Sequence, residues 1–447
     1  MRHGTPKVRR TLSADGLIEL MRNAFEKIPD HRRAGSVEYT LADVLMCGFA
    51  LFSLKNRSLL EFKSHIQNNA TGANLRSMYR IEKVPSDTQM REILDPVPTD
   101  QLRPVFKQII QSAQRGGLLK EFQFIDGHYL ASIDGTGYFA SDKIHCASCQ
   151  EKKDKRTGAV SYSHAMLGIA LVLPGKKQVL PLCPEPIIKQ DGEAKNDCER
   201  NAAKRLLERL RKDHPRLPLI IVEDGLSSNA PHIEELQRHG MSYILGVKQG
   251  DHAFLFEQVM DSVETGRMQV VSEEESDARR IERRVAYVNG LSLNRSHPDL
   301  KVNFLELYED IDGKEQYYSW ITNIEVTEKN AFQLAEGGRA RWKIENETFN
   351  TLKNQGYHFE HNFGHGHVNL SVILALLMML AFLCDQIQEC TCPVFQAALA
   401  RKGRKQYFWE SIRAHFSILR IHSWTQMLLA LLLGPRAALC DIADDTS

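Results

Sequence analysis

Three acidic residues lie where a carboxylate could do chemistry. Asp134 stands in Ser132-Ile133-Asp134-Gly135-Thr136, inside a run of β-type residues, and Asp224 follows the buried-strand pattern Leu219-Ile220-Ile221-Val222 and Glu223. Open α/β sheets hold ligands at the carboxyl ends of their strands, so the two carboxylates converge if those strands are neighbours. Glu345 is placed by helical angle. At 100° per residue, Trp342, Phe349 and Leu352 fall at about +60°, +40° and −20° from it, so it occupies the middle of an apolar stripe, while Glu347 faces the other side. An ionised carboxylate on a buried face is costly unless a cation answers it. Arg341, one turn earlier, can answer it as a buried Arg–Glu pair, and this structural reading stands beside a catalytic one. A strand, an adjacent strand end and a helix carrying three carboxylates can hold two Mg²⁺ ions about 3.5–4 Å apart. Such a pair activates a water or a 3′-hydroxyl for in-line phosphoryl transfer. Two alternatives stay open: Asp126 in a second Ile-Asp-Gly, and Glu223, since adjacent strand residues face opposite sides.

Other constellations carry weaker chemistry. His145-Cys146-x-x-Cys149, with His164 nearby, offers half of a tetrahedral zinc site through Cys146 and Cys149. Cys390-x-Cys392 is a poor and distant second half, and reduced structural cysteines are the default. His358, His361, His365 and His367 cluster in a glycine- and aromatic-containing loop after the Glu345 helix, a setting for DNA backbone contact or for ordinary surface histidines. The stretch from Arg401 to Trp409 mixes cations with aromatics, as a phosphate-tracking, base-stacking surface does, and also as a solvated linker does. Trp320 is read as a core residue, with base stacking as the alternative. No glycine-rich phosphate loop supports nucleotide hydrolysis.

The elements that must position these groups come from pattern. With 447 residues, 43% hydrophobic, 25% charged and a net charge of +1, the chain is an ordinary globular protein, which excludes a disordered or collagenous one. The near-zero total hides a partition. Residues 1–115 carry 18 basic and 12 acidic side chains, whereas 251–330 carry 9 and 17, so any nucleic-acid surface is local. Stretches such as Glu273–Asp277 would repel phosphate. Nine cysteines and a basic, polar Met1–Arg10 with no apolar run behind it point to a cytosolic chain with reduced thiols. Val372–Cys384 is shorter than the ~20 residues that span a bilayer, so it reads as a buried core helix and no membrane is expected.

The first 115 residues are helical by spacing, with Thr40, Ser86 and Thr99 as caps. From Phe122, β-type runs at Leu130–Phe139, His164–Leu173 and Gln178–Pro184 suggest an antiparallel meander. Helix Asp197–His214, strand Leu217–Val222, helix Ala230–His239 and strand Ser242–Lys248 follow. This order fits a mixed sheet. Residues 251–330 read as an inserted β-rich subdomain, with strands at Arg283–Asn289, Asn303–Glu309 and Gln316–Ile324. Helical pattern resumes over Glu336–Asn354 and Asn369–Gln388.

Ile133-Asp134-Gly135-Thr136, Glu223-Asp224-Gly225-Leu226 and Arg341-Trp342-Lys343-Ile344-Glu345, in this order and with a β-rich insertion between the second and third, resemble the DDE transposases of bacterial insertion sequences, in the group with a Tyr/Arg/Glu/Lys signature. The resemblance implies an α/β fold: a ribonuclease-H-like catalytic core of mixed sheet over 122–250 and 331–365, with the β subdomain inserted. A helical DNA-binding region (1–115) and a helical C-terminal region (366–447) flank it. It implies strand cleavage and strand transfer at transposon ends, with Asp134, Asp224 and Glu345 as catalytic metal ligands. The ions are two Mg²⁺, with Mn²⁺ as substitute. The partners are DNA, as terminal inverted repeats and target, and a second copy of the chain on DNA, in the bacterial cytosol or nucleoid. Arg341, Lys343, Lys353 and His361 are the expected DNA contacts. Two departures are visible: Gly338 stands where the signature tyrosine would be, and Lys353 lies eight residues after Glu345 rather than seven. A ribonuclease-H-like nuclease without joining activity and a domesticated, non-catalytic DNA-binding protein remain as alternatives.

Overall fold

In the computed structural model, residues 10–33, 35, 37–66, 69–188, 198–275 and 281–434 are described. Met1–Arg10 except its last residue, Asp197, and the part of Glu273–Asp277 beyond Glu275 lie outside them. Six helices open the chain: α1 (Ala14–Phe25), α2 (Leu41–Ser53), α3 (Leu59–Ile66), α4 (Asn69–Tyr79), α5 (Asp87–Leu94) and α6 (Arg103–Gly116). Local chemistry sets their starts. Thr40 accepts from the Asp43 amide, and Ser86 forms a reciprocal capping box with Gln89. Thr99 begins a 3₁₀ turn that runs into α6.

Every residue of α2 is buried, and its main partner is α12 (Leu370–Thr391). That 22-residue helix is long and apolar enough to cross a membrane, but 94% of its apolar window is buried inside the protein. It is the axis on which the N-terminal helices meet the last three, α13 (Pro393–Lys402), α14 (Lys405–Ile418) and α15 (Trp424–Leu433). A buried polar knot fastens them. Lys55 Nζ donates to Asp385 on α12 at 2.6 Å and to the carbonyls of Phe52 and Ser53, and lies over the rings of Tyr357 and Trp409. The Tyr357 hydroxyl donates to the same carboxylate. Phe408 and Trp409 are buried against Phe395, which removes them as base-stacking residues and leaves Tyr407 exposed.

Between the helical parts lies one sheet of eleven strands. β1 (Tyr129–Ser141) pairs antiparallel with β3 (Val160–Val172), and β3 carries three short strands, β2 (Gln150–Lys153), β4 (Leu180–Pro181) and β5 (Glu185–Ile187). After α7 (Glu199–Asp213), β6 (Leu219–Glu223) joins β1 in parallel. After α8 (Ala230–Arg238), β7 (Ser242–Gly246) joins β6 in parallel. β6 is buried along its whole length, as a parallel strand covered on both faces should be.

The β-rich insertion adds its strands to this same sheet. α9 (Ala253–Glu264), which the pattern did not reveal, precedes β8 (Gln269–Glu275), β9 (Ile281–Asn294), β10 (His297–Ile311) and β11 (Lys314–Thr322). β11 pairs with β7 through Trp320↔Gly246, Ile321↔Leu245 and Thr322↔Ile244. Buried Glu309 on β10 ties the insertion to the next helix, α10 (Ala331–Arg339), by accepting from Arg283 and Arg339.

The expected single helix over Glu336–Asn354 is broken. α10 stops at Arg339; a π-helical turn covers Ile344–Phe349 and passes into α11 (Asn350–Asn354). A π turn, with its i→i+5 bonds, holds more residues per turn and so advances by less than 100° per residue, and the angular placement of Glu345 fails. Trp342 is 48% exposed rather than part of the apolar stripe, and Ile344, Phe349 and Leu352 are the buried positions.

Candidate active site

Asp134 and Asp224 owe their proximity to the β1–β6 ladder. The parallel pairs run from Tyr129↔Leu219 to Ser132↔Val222, so Asp134 lies two residues beyond the last pair on β1 and Asp224 follows the last residue of β6. Both line a cleft of about 580 Å³ together with Gly135, Glu199, Glu223, Asn229 and His232. Asp224 also caps the 3₁₀ turn after β6, accepting from the Leu226 amide at 3.0 Å. Glu223 lines the same cleft but is buried, accepting from Ser227 at 3.2 Å and lying 2.5 Å from His232 Nε2. Burial pulls His232 down, but the adjoining Glu223 carboxylate outweighs it and holds the imidazole above its ordinary value. Asp126 sits in an exposed left-handed turn before β1, φ +47°.

Glu345 reaches this site from above β1. Ser132 Oγ donates to the Arg341 carbonyl at 2.9 Å, pinning the chain just before the π turn. Gly168 is the β3 residue opposite Asp134, and a Cβ there would meet Phe349 Cζ at 2.7 Å, so its lack of a side chain seats the Phe349 ring on the strand. Arg341 Nη1 bridges Asp134 Oδ2 at 3.1 Å and Glu345 Oε1 at 2.9 Å. Glu345 is not among the residues lining that cleft, and its side chain is 36% exposed. Burial first, and then a hydrogen bond with Glu345, push the Asp134 carboxyl up to about 7, against the pull of Arg341.

Sequence reasoning passed over Glu199. Its Oε1 lies 2.3 Å from where a Gly135 Cβ would be, so a fourth carboxylate packs beside Asp134 across a glycine. The signal was the acidic first turn of α7. The signature-tyrosine position has a steric account: a Cβ on Gly338 would meet the buried Trp320 indole at 2.4 Å, so the indole fills the space. Among the other expected DNA contacts, Lys353 pairs with Glu360 at 2.8 Å and His361 is exposed, edge-on to Phe363. Lys343 Nζ donates to the Lys176 carbonyl at 2.8 Å, and burial lowers its ammonium below the usual lysine range.

A second cluster lies at the far end of β1. Cys146, Cys149, His164 and His365 bring one ligand atom each within 4.8 Å of one another, all buried. Cys149 donates to or accepts from the Cys146 sulfur, and with the two imidazoles it brings that thiol down to about 2 despite burial. Among the described residues, the three expected metal-binding carboxylates do not form such a group, and Arg341 bridges two of them, Asp134 and Glu345.

The family profile described as transposase DDE domain matches residues 140–383, more than half of the chain. The chain belongs to that family. The matched span contains Asp224 and Glu345 and begins six residues after Asp134. This transposase domain therefore acts on DNA, and its family works with divalent metal ions. A comparison with curated proteins finds no match.

Proposed function

We propose that the chain cuts DNA at transposon ends and joins the freed ends to target DNA, with Asp134, Asp224 and Glu345 as the catalytic carboxylates on a ribonuclease-H-like core. The observation that carries this reading is one cleft lined by both Asp134, on β1, and Asp224, just past the carboxyl end of the adjacent parallel strand β6, with Glu345 linked to Asp134 through one arginine. The strand order supports the core assignment: an antiparallel β1–β3 unit continued by parallel β6 and β7.

The donor set is the hard carboxylate oxygens of Asp134 and Asp224, which line an open cleft, and of Glu345, joined to Asp134 through Arg341; such oxygens fit Mg²⁺, or Mn²⁺ in its place. When bound, such ions supply Lewis-acid activation of the attacking oxygen and charge stabilisation of the leaving one. In the cutting step, water forms a new O–P bond as the P–O3′ bond breaks, leaving a 3′-hydroxyl and a 5′-phosphate. In the joining step, that 3′-oxygen attacks a target phosphate and displaces a target 3′-hydroxyl, so the count of phosphodiesters is conserved. Arg341 holds Asp134 and Glu345 at one locus and neutralises part of their charge before DNA arrives. Lys343, Lys353 and His361 lie on or just beyond the same helical segment and serve as backbone contacts. Two copies acting on two ends, in the bacterial cytosol, complete the reading.

The test uses a duplex carrying the ends that flank the reading frame, plus target DNA and Mg²⁺. Asp134→Ala, Asp224→Ala and Glu345→Ala should each abolish cutting and joining while end binding in a gel-shift assay stays near wild type. Strand transfer undiminished in Asp134→Ala or Asp224→Ala refutes the triad. Cutting without joined products in the wild-type protein favours a nuclease instead.

A further inference from the structure

Cys146 and Cys149 flank a tight turn between β1 and β2, in which the Cys149 amide donates to the Cys146 carbonyl at 3.2 Å and the Cys146 amide points at the Cys149 sulfur at 3.4 Å. His164 comes from β3, and His365 from the loop between the Glu345 segment and α12. Four residues from three separate parts of the chain thus converge on one point.

Their spacing discriminates between explanations. The two sulfurs are 3.8 Å apart, His164 Nε2 lies 3.3 Å from the Cys146 sulfur and 3.4 Å from the Cys149 sulfur, and His365 Nε2 lies 3.2 Å from the Cys149 sulfur. Bonds of about 2.3 Å to sulfur and about 2.05 Å to nitrogen at tetrahedral angles require about 3.8 Å between sulfurs and about 3.6 Å between sulfur and nitrogen. These four separations match that frame to within a few tenths of an ångström, and all four ligand atoms lie within 4.8 Å of one another. Both imidazoles turn Nε2 inward, and their Nδ1 atoms have no partner. The rings are held by aromatic faces, His164 stacked on Tyr138 and His365 against Phe139. His145 is stacked on Tyr162 outside the cluster, and Cys390 and Cys392 are at the opposite end of α12.

We infer that Cys146, Cys149, His164 and His365 form a structural zinc site, closed by four protein ligands, that staples the loop after the Glu345 segment to the β1–β3 hairpin. Closed four-coordination leaves no position for water, so the ion serves architecture and not the phosphoryl chemistry. The staple acts where several contacts already gather. The Ala147 amide donates to the His367 carbonyl, and Asp95 accepts from the amides of His367, Val368, Asn369 and Leu370 at the start of α12. Because β1 carries Asp134 and β3 carries Gly168, the site fixes one end of the strands that support the proposed catalytic residues, yet it stands or falls independently of them.

The full-length protein, purified without chelator, should contain about one zinc per chain by elemental analysis. The Asp134→Ala variant should contain the same. Cys146→Ser/Cys149→Ser and His365→Ala should lose it, with a lowered melting temperature. Protein stripped and reloaded with Co²⁺ should show the intense visible bands of tetrahedral cobalt and a thiolate charge-transfer band, both erased by one equivalent of Zn²⁺. Zinc well below stoichiometric in the wild-type protein, or a Co²⁺ spectrum without thiolate charge transfer, overturns the site even if the cysteine variants fail to fold. Unchanged zinc content in a folded double-serine variant overturns it as well.

Discussion

Gly168→Ala tests how Glu345 is positioned. No positive φ constrains this glycine, so the added methyl acts through space alone. The new Cβ would lie 2.7 Å from Phe349 Cζ and 2.8 Å from Cε1, and must reach at least 3.4 Å for ordinary contact. Phe349 is buried and sits in the π turn four residues from Glu345, with Ile344 packed alongside, so the ring cannot retreat without carrying the turn. Overpacking of this kind costs about 1–3 kcal/mol. A displacement near 1 Å of a catalytic group costs on the order of 100-fold in rate. The expected result is a loss of 1–3 kcal/mol in urea unfolding and a 10- to 100-fold slower Mg²⁺-dependent cut, with end binding retained. Phe349→Leu shortens the ring, so the double variant Gly168→Ala/Phe349→Leu should be no less stable than Phe349→Leu alone, a clear departure from additivity. Wild-type stability and cutting rate in Gly168→Ala would mean that the Phe349 contact does not hold Glu345 in place.

The remaining expectations concern buried charge. Asp385→Ala strands the fully buried Lys55, and should cost about 3–5 kcal/mol, whereas Lys55→Met/Asp385→Leu should recover most of it, as replaced buried pairs commonly do; equal losses in both variants would show that the Tyr357 bond, not the ion pair, is what matters. The Asp134 carboxyl, raised by burial and then by Glu345, binds a proton in the folded state that the unfolded chain releases near its ordinary value. The metal-free protein should therefore lose stability as pH rises from about 4 to about 7, and Asp134→Asn should remove that part of the slope in pH-dependent unfolding. An unchanged slope in the variant would assign the effect elsewhere.

The elements were legible where periodicity is strong. β1, β3, α7, β6, α8 and β7 lie within a few residues of their sequence-based bounds, because alternation and 3.6-residue spacing are local properties that report which face is buried. The interior of 331–354 was not legible. A π turn is imposed by packing, here the Phe349 ring on Gly168 and the Arg341 carbonyl on Ser132, and no local pattern announces an extra residue per turn. α9 was missed because its apolar residues do not mark one buried face: Leu255 and Val259 are buried whereas Met260 and Val263 are exposed.

By itself the sequence determined the chemical types: three carboxylates in strand-end and helical settings, a Cys-x₂-Cys turn, and a helix too apolar to be anything but covered. Tertiary structure alone decided which of them meet. β1 and the end of β6 bring Asp134 and Asp224 to one cleft, Arg341 bridges Asp134 and Glu345, and two histidines, separated from the cysteines by up to 219 positions, complete the thiol pair. Residue type is written along the chain, whereas coordination depends on distances in space, and those are fixed only when the whole core packs at once.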